Sequence, residues 1–162
     1  MEDTERDERL DKLRTNAQEW IEASDPSVTL GAMIESAFLM AAADGELSEI
    51  EQQQLIATIE YIAGEAYNAA QIETMLGQML DALKADGWEV RIRALADSLT
   101  APDARRNAYR LAAGVSFIDG EVQAGEERLF GLLAEAFEIP SSEASWILSE
   151  VRDELFGAEG SE

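Results

Sequence analysis

Asp44-Gly45-Glu46-Leu47-Ser48-Glu49-Ile50-Glu51 closes one apolar helical pattern and opens another, and 75 positions later Asp119-Gly120-Glu121-Val122-Gln123-Ala124-Gly125-Glu126 does the same. The two stretches share an Asp, a Gly, a Glu, an aliphatic residue and a second Glu seven places after the Asp. A glycine just past a helix can take the left-handed conformation that closes it. Ser48, with Glu51 three residues on, has the form of a capping box that opens the next helix. The recurrence predicts an internal duplication of helix–turn–helix units rather than one isolated turn.

Outward from the two motifs, everything reads as helix. Leu30, Met33, Ile34, Ala37, Phe38 and Ala41 recur at helical spacing before the first copy; Leu55, Ile56, Ile59, Ile62 and Ala63 follow it, up to Gly64. Asn68 with Gln71 predicts the next cap, ahead of Ile72, Met75, Leu76, Met79, Leu80 and Leu83, and Asp86-Gly87 ends that run. Trp88, Ile92, Leu95 and Leu99 define a short fifth helix. Thr100 with Pro102 predicts the start of a sixth, carrying Ala108, Leu111, Ala112, Val115 and Ile118. A seventh holds Leu129, Phe130, Leu132, Leu133, Ala136 and Phe137, and Pro140-Ser141-Ser142 caps an eighth with Trp146, Ile147, Val151 and Leu155. The first helix, with Leu10, Leu13, Ala17, Trp20 and Ile21, stops at Asp25-Pro26. No alternating β-branched run argues for strands.

The offset persists beyond the motif: Ile72 falls on Ile147, Leu76 on Val151 and Leu80 on Leu155. The expected architecture is all-α, a single compact domain of about eight helices with an internal pseudo-twofold duplication, helices two to four repeating as six to eight. The expected organisation is an N-terminal helix over 1–28 packed on the domain, the duplicated domain over 29–156, and a polar tail over 157–162.

Composition removes most catalytic options. At 162 residues the chain suits one domain with a real core. It has no cysteine, hence no disulfide, thiolate or soft-metal site, and no histidine, hence no imidazole acid, base or ligand. With 34 acidic and 12 basic side chains, the formal charge of −22 repels phosphate backbones and anionic membranes and attracts cations and basic protein partners. No stretch is long and apolar enough for a membrane span. The acidic N-terminus lacks the apolar core of a secretory leader, so a cytoplasmic protein without membrane insertion is expected. No catalytic residues and no organic cofactor are expected; the expected role is non-enzymatic, with protein partners and no nucleic acid.

The two motifs are suited to a hard cation. Each has the form of the second half of an EF-hand loop, in which a Gly makes the turn, the next residue offers its carbonyl, an aliphatic follows and a Glu closes the site. On that pattern Asp44, Glu46 (through its carbonyl) and Glu51 are candidate ligands, as are Asp119, Glu121 (through its carbonyl) and Glu126. The front half is missing: Met40 and Ala42 precede the first copy, and Val115 and Phe117 the second, and none can coordinate calcium through its side chain. One copy alone supplies too few oxygens for calcium, so the expectation is one shared site, with calcium first and magnesium or manganese next.

Plainer readings stand beside this one. Asp-Gly after a helix and Glu three residues into the next are ordinary turn and capping chemistry. Trp20, Trp88 and Trp146 read as core or half-buried packing residues, and Met33, Met40, Met75 and Met79 as gap fillers. Arg105, Arg106 and Arg110, with Arg91 and Arg93 nearby in sequence, read as a solvated face paired with the surplus acids; Ser48, Ser141 and Ser142 read as helix caps.

Ala41-Ala42-Ala43-Asp44-Gly45-Glu46-Leu47-Ser48-Glu49-Ile50-Glu51, with its second copy, resembles the tellurite-resistance TerB family, to which the N-terminal domain of a membrane-anchored DnaJ-like co-chaperone is related. The resemblance covers about Leu30 to Leu155. It implies an all-helical, internally duplicated domain whose clustered acidic residues bind a divalent metal, working in stress or tellurite resistance as a component of protein complexes. Carried over residue by residue, it points to Asp44, Glu51, Asp119 and Glu126. The second copy departs from the first: Ile118 stands where Ala43 precedes Asp44, and Gln123 stands in place of Ser48.

Overall fold

The helical periodicity becomes eight α-helices among the described residues of the computed structural model: α1 (Glu2–Glu22), α2 (Pro26–Ala41), α3 (Glu49–Ala63), α4 (Ala69–Asp86), α5 (Trp88–Ser98), α6 (Pro102–Phe117), α7 (Ala124–Ala136) and α8 (Ser141–Phe156). The described residues are 2–22, 26–42, 48–63, 67–118 and 124–156, with backbone alone for 2–6, 21–22, 26–29 and 124–126. No strand occurs among them.

Local chemistry sets most of the helix ends. Asn68 and Gln71 form the expected reciprocal capping box at the start of α4, each side chain accepting the other's backbone N–H at 2.9 Å. Gly87, at φ +85°, ends α4 and opens α5, a conformation that a side chain would strain. Two caps differ from expectation. Ala101, not Thr100, precedes α6, and no side chain caps it; Pro102 supplies the preset φ of a first helical residue instead. Ser141 and Ser142 are already helical, because the Ala144 N–H donates to the Pro140 carbonyl at 2.8 Å.

One hydrophobic core draws residues from all eight helices, among them Leu13, Phe38, Ile59, Ile72, Ile92, Tyr109, Phe130 and Ile147. Burial separates two kinds of helix. On α2, Leu30, Met33, Ile34, Ala37, Phe38, Leu39 and Met40 are buried almost all round its circumference, which marks the central helix. The side chains of α3 instead split into a buried stripe (Leu55, Ile56, Ile59, Ile62) and an exposed acidic face. Each large apolar side chain so buried contributes ~1.5–3 kcal/mol. The buried Ser36 hydroxyl on α2 is satisfied by donating to the Ala32 carbonyl at 2.9 Å.

Helix α2 packs more extensively on α6 than any other helix pair does. Large residues on α2 (Met33, Phe38) and small ones on α6 (Ala108, Ala112, Ala113, Gly114) suit that close approach. Positions 75 residues apart are buried alike at Met33 and Ala108, Ala37 and Ala112, Ile72 and Ile147, and Leu76 and Val151. The agreement breaks further along: Leu80 is only partly buried where Leu155 is buried, and α4 begins at Ala69 but α8 at Ser141, an offset of 72.

The N-terminal helix is part of this core. Leu13 and Ala17 of α1 are fully buried, and Leu13 lies against Gly114 of α6. Arg9 donates through Nε to the Ile118 carbonyl at 2.8 Å, and Asn107 donates to the Trp20 carbonyl at 3.3 Å, so α1 and α6 run antiparallel. A side-chain bond from Asn16 to Glu154 (2.8 Å) ties α1 to α8 as well.

Tryptophan placement corrects one expectation. Trp20 and Trp88 pack against the core, but Trp146 is 58 % exposed. On α8 the core row is Ala144, Ile147, Val151 and Leu155; Trp146 shares a row with Glu143 and Glu150, which face arginines of α6.

Tyr109 of α6 donates its hydroxyl to the Phe130 carbonyl (3.3 Å) and meets the Phe130 ring edge-on at 5.7 Å. Burial pushes its hydroxyl up to about 12 from the ordinary 10.0. A raised folded-state pKa means that the folded protein holds this proton when the unfolded chain has lost it. Its contribution to stability is therefore complete below pH ~10 and is lost as pH rises through about 12. The expected result is alkaline unfolding that shifts when Tyr109→Phe is introduced, read by circular dichroism against tyrosinate absorbance.

Candidate functional site

The predicted site residues lie at two helix junctions. Asp44, Glu46, Asp119 and Glu121 fall outside the described residues, and of Glu126 only the backbone, in the first turn of α7, is described. Glu51 is the one candidate ligand whose side chain is described. It stands in the first turn of α3 and is exposed.

Glu51 does what ordinary capping requires. Its Oε1 accepts the Ser48 N–H at 2.9 Å, and its own N–H donates to Ser48 Oγ at 3.1 Å. Hydrogen bonding to the carboxylate from Ser48, its backbone N–H first and its side chain second, holds the Glu51 carboxyl below the usual range, so it keeps its charge. The helix N-terminus favours the same charge. A carboxylate offers about four lone-pair positions on two oxygens, so one bond to Ser48 leaves capacity for coordination. The donor set as a whole is carboxylate and carbonyl oxygen, which suits hard cations and not soft ones. Among the described residues, no three acidic side chains cluster closely enough to hold a metal ion.

Tertiary packing orients the helices that flank the two junctions. Tyr61 near the end of α3 donates its hydroxyl to Asp11, and Arg14 lies 4.8 Å over the Tyr61 ring. Asp7 and Asp11 line a cleft with Gln54, Thr58 and Tyr61, so α3 runs in the direction of α1. Since α6 runs opposite to α1, the start of α3 and the end of α6 point toward one end of the molecule. Sequence reading had no means of seeing this.

It also missed Arg9, which occupies the last carbonyl before Asp119, with its guanidinium 4.9 Å over the Phe156 ring. The partners lie 109 residues apart in sequence, and no local pattern announces them. A cationic side chain on a helix C-terminal carbonyl is favourable by the helix dipole. It also puts positive charge beside the second junction, where the first has the Ser48–Glu51 box.

Of the arginines predicted to balance the acids, Arg91, Arg105, Arg106 and Arg110 do so, but half-buried rather than as a solvated face. Arg91 pairs with Glu35 at 2.6 Å, Arg106 with Glu143 at 2.6 Å and Arg110 with Glu150 at 3.9 Å. Hydrogen bonding to Arg106 holds the Glu143 carboxyl low. Arginines engaged this way leave the acidic surplus to dominate the outer surface.

No helix among the described residues is long and apolar enough to cross a membrane. Comparison with protein families, with curated proteins and with solved structures gives no match to this chain.

Proposed function

We propose that the chain is a TerB-like, internally duplicated, non-enzymatic domain that binds a divalent cation, calcium first and magnesium or manganese next, as a cytoplasmic component of a stress- or tellurite-resistance complex. The observation that carries the reading is the recurrence of Asp-Gly-Glu with a closing Glu at one spacing, 75 residues apart, at junctions that follow α2 and α6. Support comes from the start of α3 and the end of α6 lying toward one end of the molecule and from Glu51, whose carboxylate stays charged at a helix start. In this reading Asp44, Glu51, Asp119 and Glu126 supply carboxylates, and Glu46 and Glu121 their carbonyls. The ion would supply positive charge that holds the two acidic turns together, linking the two halves of the domain.

The test is thermal unfolding of chelator-stripped protein titrated with calcium, then magnesium, against sodium chloride of equal ionic strength. A ligand held only by the folded state adds ~2.7 kcal/mol at a hundred times its dissociation constant. At this chain length that is a shift on the order of 5 °C or more. A saturable calcium shift beyond the sodium control is the expected result; a shift that sodium matches means charge screening alone and removes the cation site. In the same titration Glu51→Gln and Glu126→Gln are each expected to lose most of the affinity. Two independent sites, each lost with its own glutamate, would overturn the shared one.

A further inference from the structure

We propose that the groove between α7 and α8 is a docking site for a basic amphipathic helix of a partner protein. The groove encloses about 450 Å³ over an apolar floor that includes Phe130, Ala134, Ile139, Ala144 and Leu148. Glu127 and Glu135 stand exposed on its α7 rim, and Ser141 and Ser145 on its α8 rim. No lysine or arginine lines it.

Its neighbours differ in that respect. The cleft between α5 and α7 contains Arg93 and Arg105, and the one among α2, α4 and α5 contains Arg91, already paired with Glu35. Between α1 and α3, Asp11 accepts the Tyr61 hydroxyl while Arg14 lies over that ring. Of these clefts, the α7–α8 groove and the α1–α3 cleft have carboxylates and no lysine or arginine in their lining, but in the α1–α3 cleft Asp11 is engaged by Tyr61 with Arg14 beside it, which leaves the α7–α8 groove with its apolar floor and two carboxylates. On a chain of charge −22, that combination selects a cationic occupant.

The geometry narrows the occupant further. Glu127 and Glu135 are eight residues apart on one helix, about 12 Å along its axis. A helix laid along the groove reaches both with Lys or Arg seven or eight positions apart, and presents apolar side chains between them. Gly131 lies midway, and nothing stands within 4 Å of where its Cβ would be, so the α7 wall is lowest where that apolar side chain would seat.

The probe is an amphipathic helical peptide of ~18 leucines and lysines, long enough to be helical in water. It is added to the isotope-labelled full chain in chelator at physiological salt, so that the outcome is independent of any cation site. Amide shift changes are expected along 127–135 and 141–148, and a peptide of equal charge with serine for leucine is expected to bind at least about tenfold more weakly. Gly131→Arg fills the low point with a cation while raising helix propensity. It is expected to keep or raise the melting temperature and to weaken binding about tenfold or more; Glu127→Lys with Glu135→Lys is expected to do the same to binding. Shift changes scattered over the acidic surface, equal binding of the serine peptide, or wild-type binding by Gly131→Arg would overturn the proposal. Self-association that occupies the same residues without peptide would overturn it in favour of a second copy.

Discussion

Replacing Arg105 with methionine is expected to destabilise the protein by about 2–4 kcal/mol, far more than a surface ion pair would predict. Arg105 lies near the start of α6 with its side chain only 15 % exposed. Its guanidinium donates to the carbonyls of Leu99 and of Ala96 (2.8 Å) at the end of α5, and to that of Phe137 (3.5 Å) at the end of α7. Helix C-termini leave carbonyls unpartnered, and a positive charge there also interacts favourably with the helix dipole. One planar fork thus serves two helix ends at once. Lysine, a compact point charge, reaches fewer of these oxygens, so Arg105→Lys is expected to recover only part of the loss.

The ion pair with Glu138 (3.0 Å) is the lesser part of this arrangement. Glu138 is 82 % exposed in its side chain and sits at φ 60°, the left-handed position of a helix stop in which the Ile139 N–H reaches back to the Ala134 carbonyl at 2.8 Å. Glycine takes that conformation without strain, worth ~1 kcal/mol, which offsets the ~0–1 kcal/mol of an exposed pair. Glu138→Gly is therefore expected to leave stability within about 1 kcal/mol of wild type. Urea unfolding of the three variants separates the contributions. A loss in Glu138→Gly as large as in Arg105→Met would mean that the carboxylate, not the carbonyls, is what Arg105 serves.

The second large effect is expected where α1 crosses α6. A Cβ on Gly114 would stand 2.3 Å from Leu13 Cδ1, and Leu13 is wholly buried and has no solvent to move into. Leu13→Ala is expected to cost ~2–5 kcal/mol, transfer and cavity terms together. Gly114→Val combines overpacking of ~1–3 kcal/mol with loss of the α1 contact. Gly114→Ala gains ~1 kcal/mol of helix propensity but still meets Leu13, so a smaller net loss is expected. Combined, Leu13→Ala and Gly114→Ala should be no worse than Leu13→Ala alone, since the new methyl enters the space the leucine leaves. A strictly additive double mutant, measured by denaturant unfolding, would show that the two positions do not meet.

What was legible in the sequence was local. Apolar residues at helical spacing announced all eight helices, and Ser48 with Glu51 and Asn68 with Gln71 are the capping boxes that their spacing predicts. The errors were local too, and small. Thr100 was displaced from the cap by the preset backbone of Pro102, and Ser141 and Ser142 joined the helix they were expected to cap. Trp146 misled because hydrophobicity alone does not say which row of α8 faces inward; its neighbours three before and four after answer to arginines of α6.

Of the candidate site, the sequence by itself determined the donor chemistry: carboxylates and carbonyls only, with no imidazole or thiolate, at two junctions of one spacing. It also determined the helical class, because caps and periodicity act within three or four residues. Only the tertiary structure decided that α1 lies antiparallel on α6 through Leu13 and Gly114, that Arg9 takes the carbonyl ahead of Asp119, that Arg105 closes two helix ends, and that the α7–α8 groove lacks an internal cation. These depend on which faces meet between segments far apart in the chain. That choice is made by packing and charge compensation over the whole molecule, and no local pattern encodes it.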